Sequence, residues 1–83
     1  MFTDQDWEII RELTQQNSHD HVLWFAAIKI GNHELLRDAS LFFHECIMEG
    51  ELTPKLHAEY LVLRKRIKES LSTAQEKRFN EVT

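Results

Sequence analysis

Val22-Leu23-Trp24-Phe25-Ala26-Ala27-Ile28-Lys29-Ile30 is apolar at every position except Lys29. With its approach from Ser18 the segment has the length of a helix, not a strand. On a 3.6-residue period Leu23, Ala26, Ala27 and Ile30 fall on one side, while Trp24, Phe25 and Ile28 cover much of the rest. A helix apolar on nearly all sides must be buried on several, or buried on one and offered to a partner on another. The stretch therefore predicts an all-α protein with this helix at its centre.

Working outward, the preceding helix is expected over about 3–16. Thr3 suits its N-cap and Asp6 the acidic position three residues on, with Phe2 and Trp7 placed as a hydrophobic staple. Asn17 can take a left-handed conformation as a C-terminal cap, and Ser18 can then cap the central helix, about 18–30. Gly31 stops that helix and Asn32 caps a third, about 33–49, whose core stripe is Leu35, Leu36, Ala39, Phe42, Phe43 and Cys46. Gly50 ends it. Thr53 and Pro54 open a fourth helix, about 54–71, because proline at the first helical position gives up only an amide hydrogen that would be unpaired there anyway. Its stripe is Leu56, Tyr60, Leu63, Ile67 and Leu71. Beyond Leu71, Ser72 with Gln75 could start a new helix. Ala74, Glu76 and Lys77 would equally continue the old one, and a continuation frayed by about residue 80 is expected. Phe79 and Val82, the only large apolar residues there, predict weak docking. Short connections imply antiparallel neighbours, so residues 1–83 read as a single compact four-helix bundle.

Composition agrees with a folded domain: 42% of the 83 residues are hydrophobic and 29% charged. The one cysteine, Cys46, forbids an internal disulfide and a zinc site of four cysteines, or of two cysteines and two histidines. The acidic start and the absence of an apolar run near the roughly 20 residues of a membrane span predict a cytoplasmic protein with no membrane partner. Net charge is −4, divided as −7 over residues 1–52 and +3 over 53–83. Such a division can orient a partner within about a Debye length of ~8 Å.

Chemistry-bearing patterns are few. His19 and His21 flank Asp20, but residues two apart on a helix point to opposite sides, and Arg37 stands where a metal-binding partner of His33 would be needed. No metal or other cofactor is expected. Ala27 and Gly31 have the spacing of a helix-turn-helix turn. The apolar positions which that pattern requires afterwards are filled by Asn32, Arg37 and Ser40, and the would-be reading helix is acidic. The basic run Arg64, Lys65 and Arg66 with Lys68 is spread around its helix, so it predicts weak binding of nucleic acid at most.

The back of the third helix departs from a plain bundle. Opposite its core stripe lie Arg37, Leu41, His44 and Met48, which mix apolar side chains with a guanidinium and an imidazole. Methionine and arginine are typical of interface centres, the first adaptable and the second weakly hydrated. Two arrangements satisfy this strip: a further helix covers it, or a partner does. Arg37-Asp38-Ala39-Ser40-Leu41-Phe42-Phe43-His44 also resembles the arginine, polar residue, spacer, histidine motif of HEPN ribonucleases, which are all-helical and usually place two such motifs across a dimer interface. That resemblance, over eight residues, implies metal-independent RNA cleavage with Arg37 on the scissile phosphate and His44 as general acid or base.

With no nucleophile set, phosphate-cradling glycine loop or nucleotide motif, the leading expectation is a non-enzymatic interaction module. By analogy with small acidic helical proteins, it would be a regulator, inhibitor, immunity protein or antitoxin-like partner of another protein, of the kind phages and plasmids carry. Trp24, Arg37, Leu41, His44 and Met48 are the residues expected to meet that protein, or a second copy in a homodimer.

Overall fold

A computed structural model describes residues 2–83. Its elements are α1 (Asp4–Gln15), α2 (His19–Ile30), α3 (His33–Glu49), α4 (Pro54–Glu69) and α5 (Thr73–Val82), joined by connections of two to four residues. No strand occurs among the described residues. The Cα radius of gyration, 12.0 Å, is that of a compact domain of this length, about 12 Å.

Local chemistry explains most boundaries. The Thr3 hydroxyl accepts from the Asp6 amide at 3.1 Å while the Asp6 carboxylate accepts from the Thr3 amide at 2.9 Å, a reciprocal capping box. Beside it the Phe2 and Trp7 rings stack with centroids 4.7 Å apart, closing the staple. Asn17 takes a left-handed φ of 59° after α1, and the glycines after α2 and α3 do the same, Gly31 at 79° and Gly50 at 74°. Such a φ strains residues with a Cβ, so glycine suits both stops. Asn32 and Thr53 cap their helices through bonds from the Leu35 and Leu56 amides. Ser18 does not behave as expected: it precedes α2 but makes no side-chain capping bond.

The core joins Trp7 and Ile10 of α1, Val22, Leu23, Ala26 and Ala27 of α2, Leu35, Ala39 and Phe42 of α3, and Leu56, Leu63 and Ile67 of α4. As its composition demands, α2 is central, packing against α1, α3 and α4. Asp6 is the only buried charged side chain among the described residues, and it holds Lys29 Nζ of α2 at 3.3 Å, tying the start of α1 to the end of α2. The backbone bond from Thr3, with help from Lys29, holds this carboxyl below its ordinary value against the opposing effect of burial.

The expected count of four helices is corrected to five. α4 does not run on past Leu71: it ends at Glu69, and the Ser70 and Leu71 amides bond back only three residues, to the carbonyls of Ile67 and Lys68. Ser72 and Gln75 then form a second capping box, with the Gln75 amide donating to Ser72 Oγ at 3.3 Å. The weak docking expected of the tail is also overturned, because Phe79 is fully buried and Val82 is 6% exposed. Burial of side chains this size contributes about 1.5–3 kcal/mol each, and a new helix direction is what brings both to the core. Arg64 fastens the arrangement by donating to Thr83 Oγ1 at 2.8 Å and lying over the Phe79 ring, 5.0 Å from its centroid. α5 packs against α1 and α4, and so leaves the outward side of α3 bare.

Candidate functional site

On α3 the core stripe of Leu35, Ala39 and Phe42 turns inward, which carries Arg37, Leu41, His44 and Met48 outward as a set. The fifth helix that could have covered them packs elsewhere. Leu41 is 56% exposed, Met48 is 73% exposed, and Arg37 and His44 are also open to solvent. Arg37 Nε donates to its neighbour Asp38 Oδ1 at 3.3 Å, and Asp38 Oδ2 in turn accepts from Arg66 Nη1 of α4 at 2.7 Å. The Arg66 bond, aided by Arg37, holds the Asp38 carboxyl below its ordinary value.

This ion cluster bounds a shallow groove of about 380 Å³ between α3 and α4. Leu41 and Val62 face each other across it, Ala58 lies alongside, and the buried Phe42 and Leu63 form its floor. Val62, 59% exposed, was not singled out from the sequence, although it lies off the Leu56, Leu63 and Ile67 stripe just as Leu41 lies off the stripe of α3. Glu45 lines the groove and also a neighbouring hollow with His44 and Met48, so the hollow that holds Met48 adjoins the groove of Leu41 and Val62 at Glu45, and Glu45 and Glu59 give the groove an acidic edge.

Trp24 lies apart from that face. Its indole Nε1 donates to Ser40 Oγ at 3.2 Å and its ring packs on Phe43 with centroids 5.6 Å apart, sealing the seam between α2 and α3 while remaining 39% exposed. Of the basic run, Arg64 is engaged with α5 and Arg66 with Asp38; Lys65 is exposed and Lys68 is half-buried. Arg37 and His44 share the open side of α3; His44 lines the hollow beside Met48, and Arg37 lines neither that hollow nor the groove. Among the described residues no three histidine, cysteine, aspartate or glutamate side chains gather closely enough to hold a metal ion, and no helix is long and apolar enough to cross a membrane.

The chain matches no protein-family model, no curated protein and no solved structure.

Proposed function

We propose that the chain works by protein–protein contact, docking another protein on the face built by Leu41 and Met48 of α3 and Val62 of α4. The observation that carries this reading is that Leu41 and Val62 line one groove and Met48 the hollow beside it, each of the three more than half exposed. Isolated exposed apolar residues are ordinary, whereas a contiguous patch with a polar rim is what partner surfaces present. Arg37, His44 and the acidic pair Glu45 and Glu59 supply the rim, where charge selects and orients a partner more than it adds affinity. A small regulator or inhibitor, including the immunity and antitoxin-like classes, needs no more than such a face.

The test is a charge placed in the groove. Leu41→Glu and Val62→Glu should each abolish capture of the partner by the tagged chain, with helicity and melting temperature unchanged. Capture that survives both substitutions would sink this surface. Light scattering across a wide concentration range shows whether the bound protein is a second copy.

A ribonuclease reading draws on the exposure of Arg37 and His44 on the same side of α3. It predicts RNA cleavage by the purified chain, lost in Arg37→Ala and in His44→Ala. Intact RNA after prolonged incubation with the native protein would remove it.

A further inference from the structure

A second concavity lies away from the α3–α4 groove. It opens between the first turn of α2, the end of α3 and the start of α4, with a volume of about 470 Å³. Four rings line it: His19 of α2, Phe42 of α3, and His57 and Tyr60 of α4. They cluster about Tyr60, whose ring centroid lies 5.6 Å from His19, 6.4 Å from His57 and 6.5 Å from Phe42. Phe42 is buried beneath, His19 and Tyr60 are half-buried, and His57 stands open at the side.

The charged lining is of one sign. Asp20 and Glu51 border the crevice and no lysine or arginine does. Asp20 has the His21 imidazole at 3.4 Å as its only ion-pair partner among the described residues. Gly50 also lines the crevice, so the carbonyl end of α3, the negative end of its dipole, lies there. Burial pushes the pKa of the half-buried Cys46 thiol up, and the carboxylates of Asp20, Glu45 and Glu59 push it the same way.

Each ligand class meets this lining differently. Anions would be repelled by the carboxylates, and a neutral apolar ligand would take water from the Asp20 carboxylate and leave it only the His21 contact, which is costly. An organic cation suits both the rings and the carboxylates of the lining. Its charge is drawn to the faces of the rings, its alkyl groups bury against them, and a carboxylate balances it.

We propose that this crevice binds a methylated ammonium group, with the Tyr60, His19 and His57 rings around the cation and Asp20 as its counter-charge. The same head group occurs on a free choline-like cation and on a methylated lysine side chain, and the volume admits either.

The experiment is an NMR titration of the full ¹⁵N-labelled chain with choline chloride at constant ionic strength. 3,3-Dimethyl-1-butanol, the uncharged isostere, is run in parallel. Choline should give saturable shifts centred on the amides of Asp20, Cys46, Glu51 and Tyr60, with the alcohol binding about tenfold more weakly. Asp20→Asn should weaken choline binding severalfold without disturbing the fold, and Tyr60→Leu should weaken it by about tenfold. Because Tyr60 also packs on the core, Asp20→Asn and the uncharged isostere decide the matter if Tyr60→Leu fails to fold. A trimethyllysine peptide binding more tightly than choline assigns the group to a protein side chain, and one binding equally or more weakly assigns it to a free cation. Absence of saturation by both choline and the peptide, or equal affinity for the alcohol, overturns the proposal.

Discussion

Leu23 on α2 and Leu41 on α3 are the same side chain at mid-helix, yet the first is fully buried and the second is 56% exposed. Both helices carry more apolar residues than one core stripe needs. α2 is enclosed by α1, α3 and α4, so most of its surplus is consumed: Phe25 and Ile30 are half-buried, and of its large apolar residues only Trp24 and Ile28 are exposed. α3 touches α2 and α4, and its third side stays uncovered because α5 docks against α1 and α4 instead. The difference lies in which neighbour arrives, and periodicity within one helix does not specify that.

The sharpest way to break this comparison is to delete the enclosed side chain. Leu23→Ala should cost about 3–5 kcal/mol, the transfer term plus the cavity left in a site closed on several sides. A chain of 83 residues has a total stability of only about 4–12 kcal/mol, so urea unfolding followed by circular dichroism should show a large fall in midpoint. A loss below about 1 kcal/mol would mean that α2 is not the enclosed helix.

The next effect concerns the helix that leaves α3 bare. Ser72→Ala removes one half of the capping box that starts α5 and should cost about 1 kcal/mol, with faster hydrogen exchange confined to residues 73–82. An unchanged melting curve and unchanged exchange would show that burial of Phe79 and Val82 alone sets the direction of α5.

Those two residues mark the limit of what the sequence discloses. The first four helices were legible, the end of the fourth excepted, because their boundaries carry their own chemistry: Thr3 with Asp6, Gly31 before Asn32, Gly50 before Thr53 and Pro54. At Ser72 the local signals conflict, since a capping box competes with a helix that Ala74, Glu76 and Lys77 would continue. The conflict is resolved by a tertiary event, the seating of Phe79 in a core built from residues far earlier in the chain. The candidate site divides the same way. Leu41 and Met48 were visible as apolar residues off a stripe, and Val62 carried the same signal unread. The turn of Trp24 onto Ser40 and Phe43 depends on how α2 and α3 are rotated against each other. The aromatic crevice draws its rings from three helices and has no spacing to betray it.

Acid offers a smaller perturbation that falls on α2 and α3 together. Asp6 fastens α1 to α2 through Lys29, and Asp38 fastens α3 to α4 through Arg66. Both carboxyls are held below the ordinary value of 3.8 in the folded state. The stability they contribute is therefore complete above that value and is lost as pH falls through the lower folded values. Unfolding midpoints should be flat above about pH 5 and decline below pH 4. In Asp6→Asn the decline should be shallower, since one of the two linked protons is gone. A decline as steep as in the native chain would show that Asp6 takes no part in it.

The smallest stability effects should fall on the open side of α3, and their smallness is what separates it from α2. Leu41→Ala and Met48→Ala remove side chains already more than half in water, so each should change stability by no more than about 0.5 kcal/mol. Measured beside Leu23→Ala in the same urea titration, they form a direct contrast between an enclosed and an open surplus of apolar surface. A cost at Leu41 that is small in dilute protein and climbs above about 2 kcal/mol as protein concentration is raised would mean that folding and self-association are coupled through this face. A cost of that size independent of concentration would place Leu41 in the core and remove the partner surface. Neutral substitutions that nevertheless abolish binding would show that α3 keeps its outward apolar residues for a partner and not for the fold.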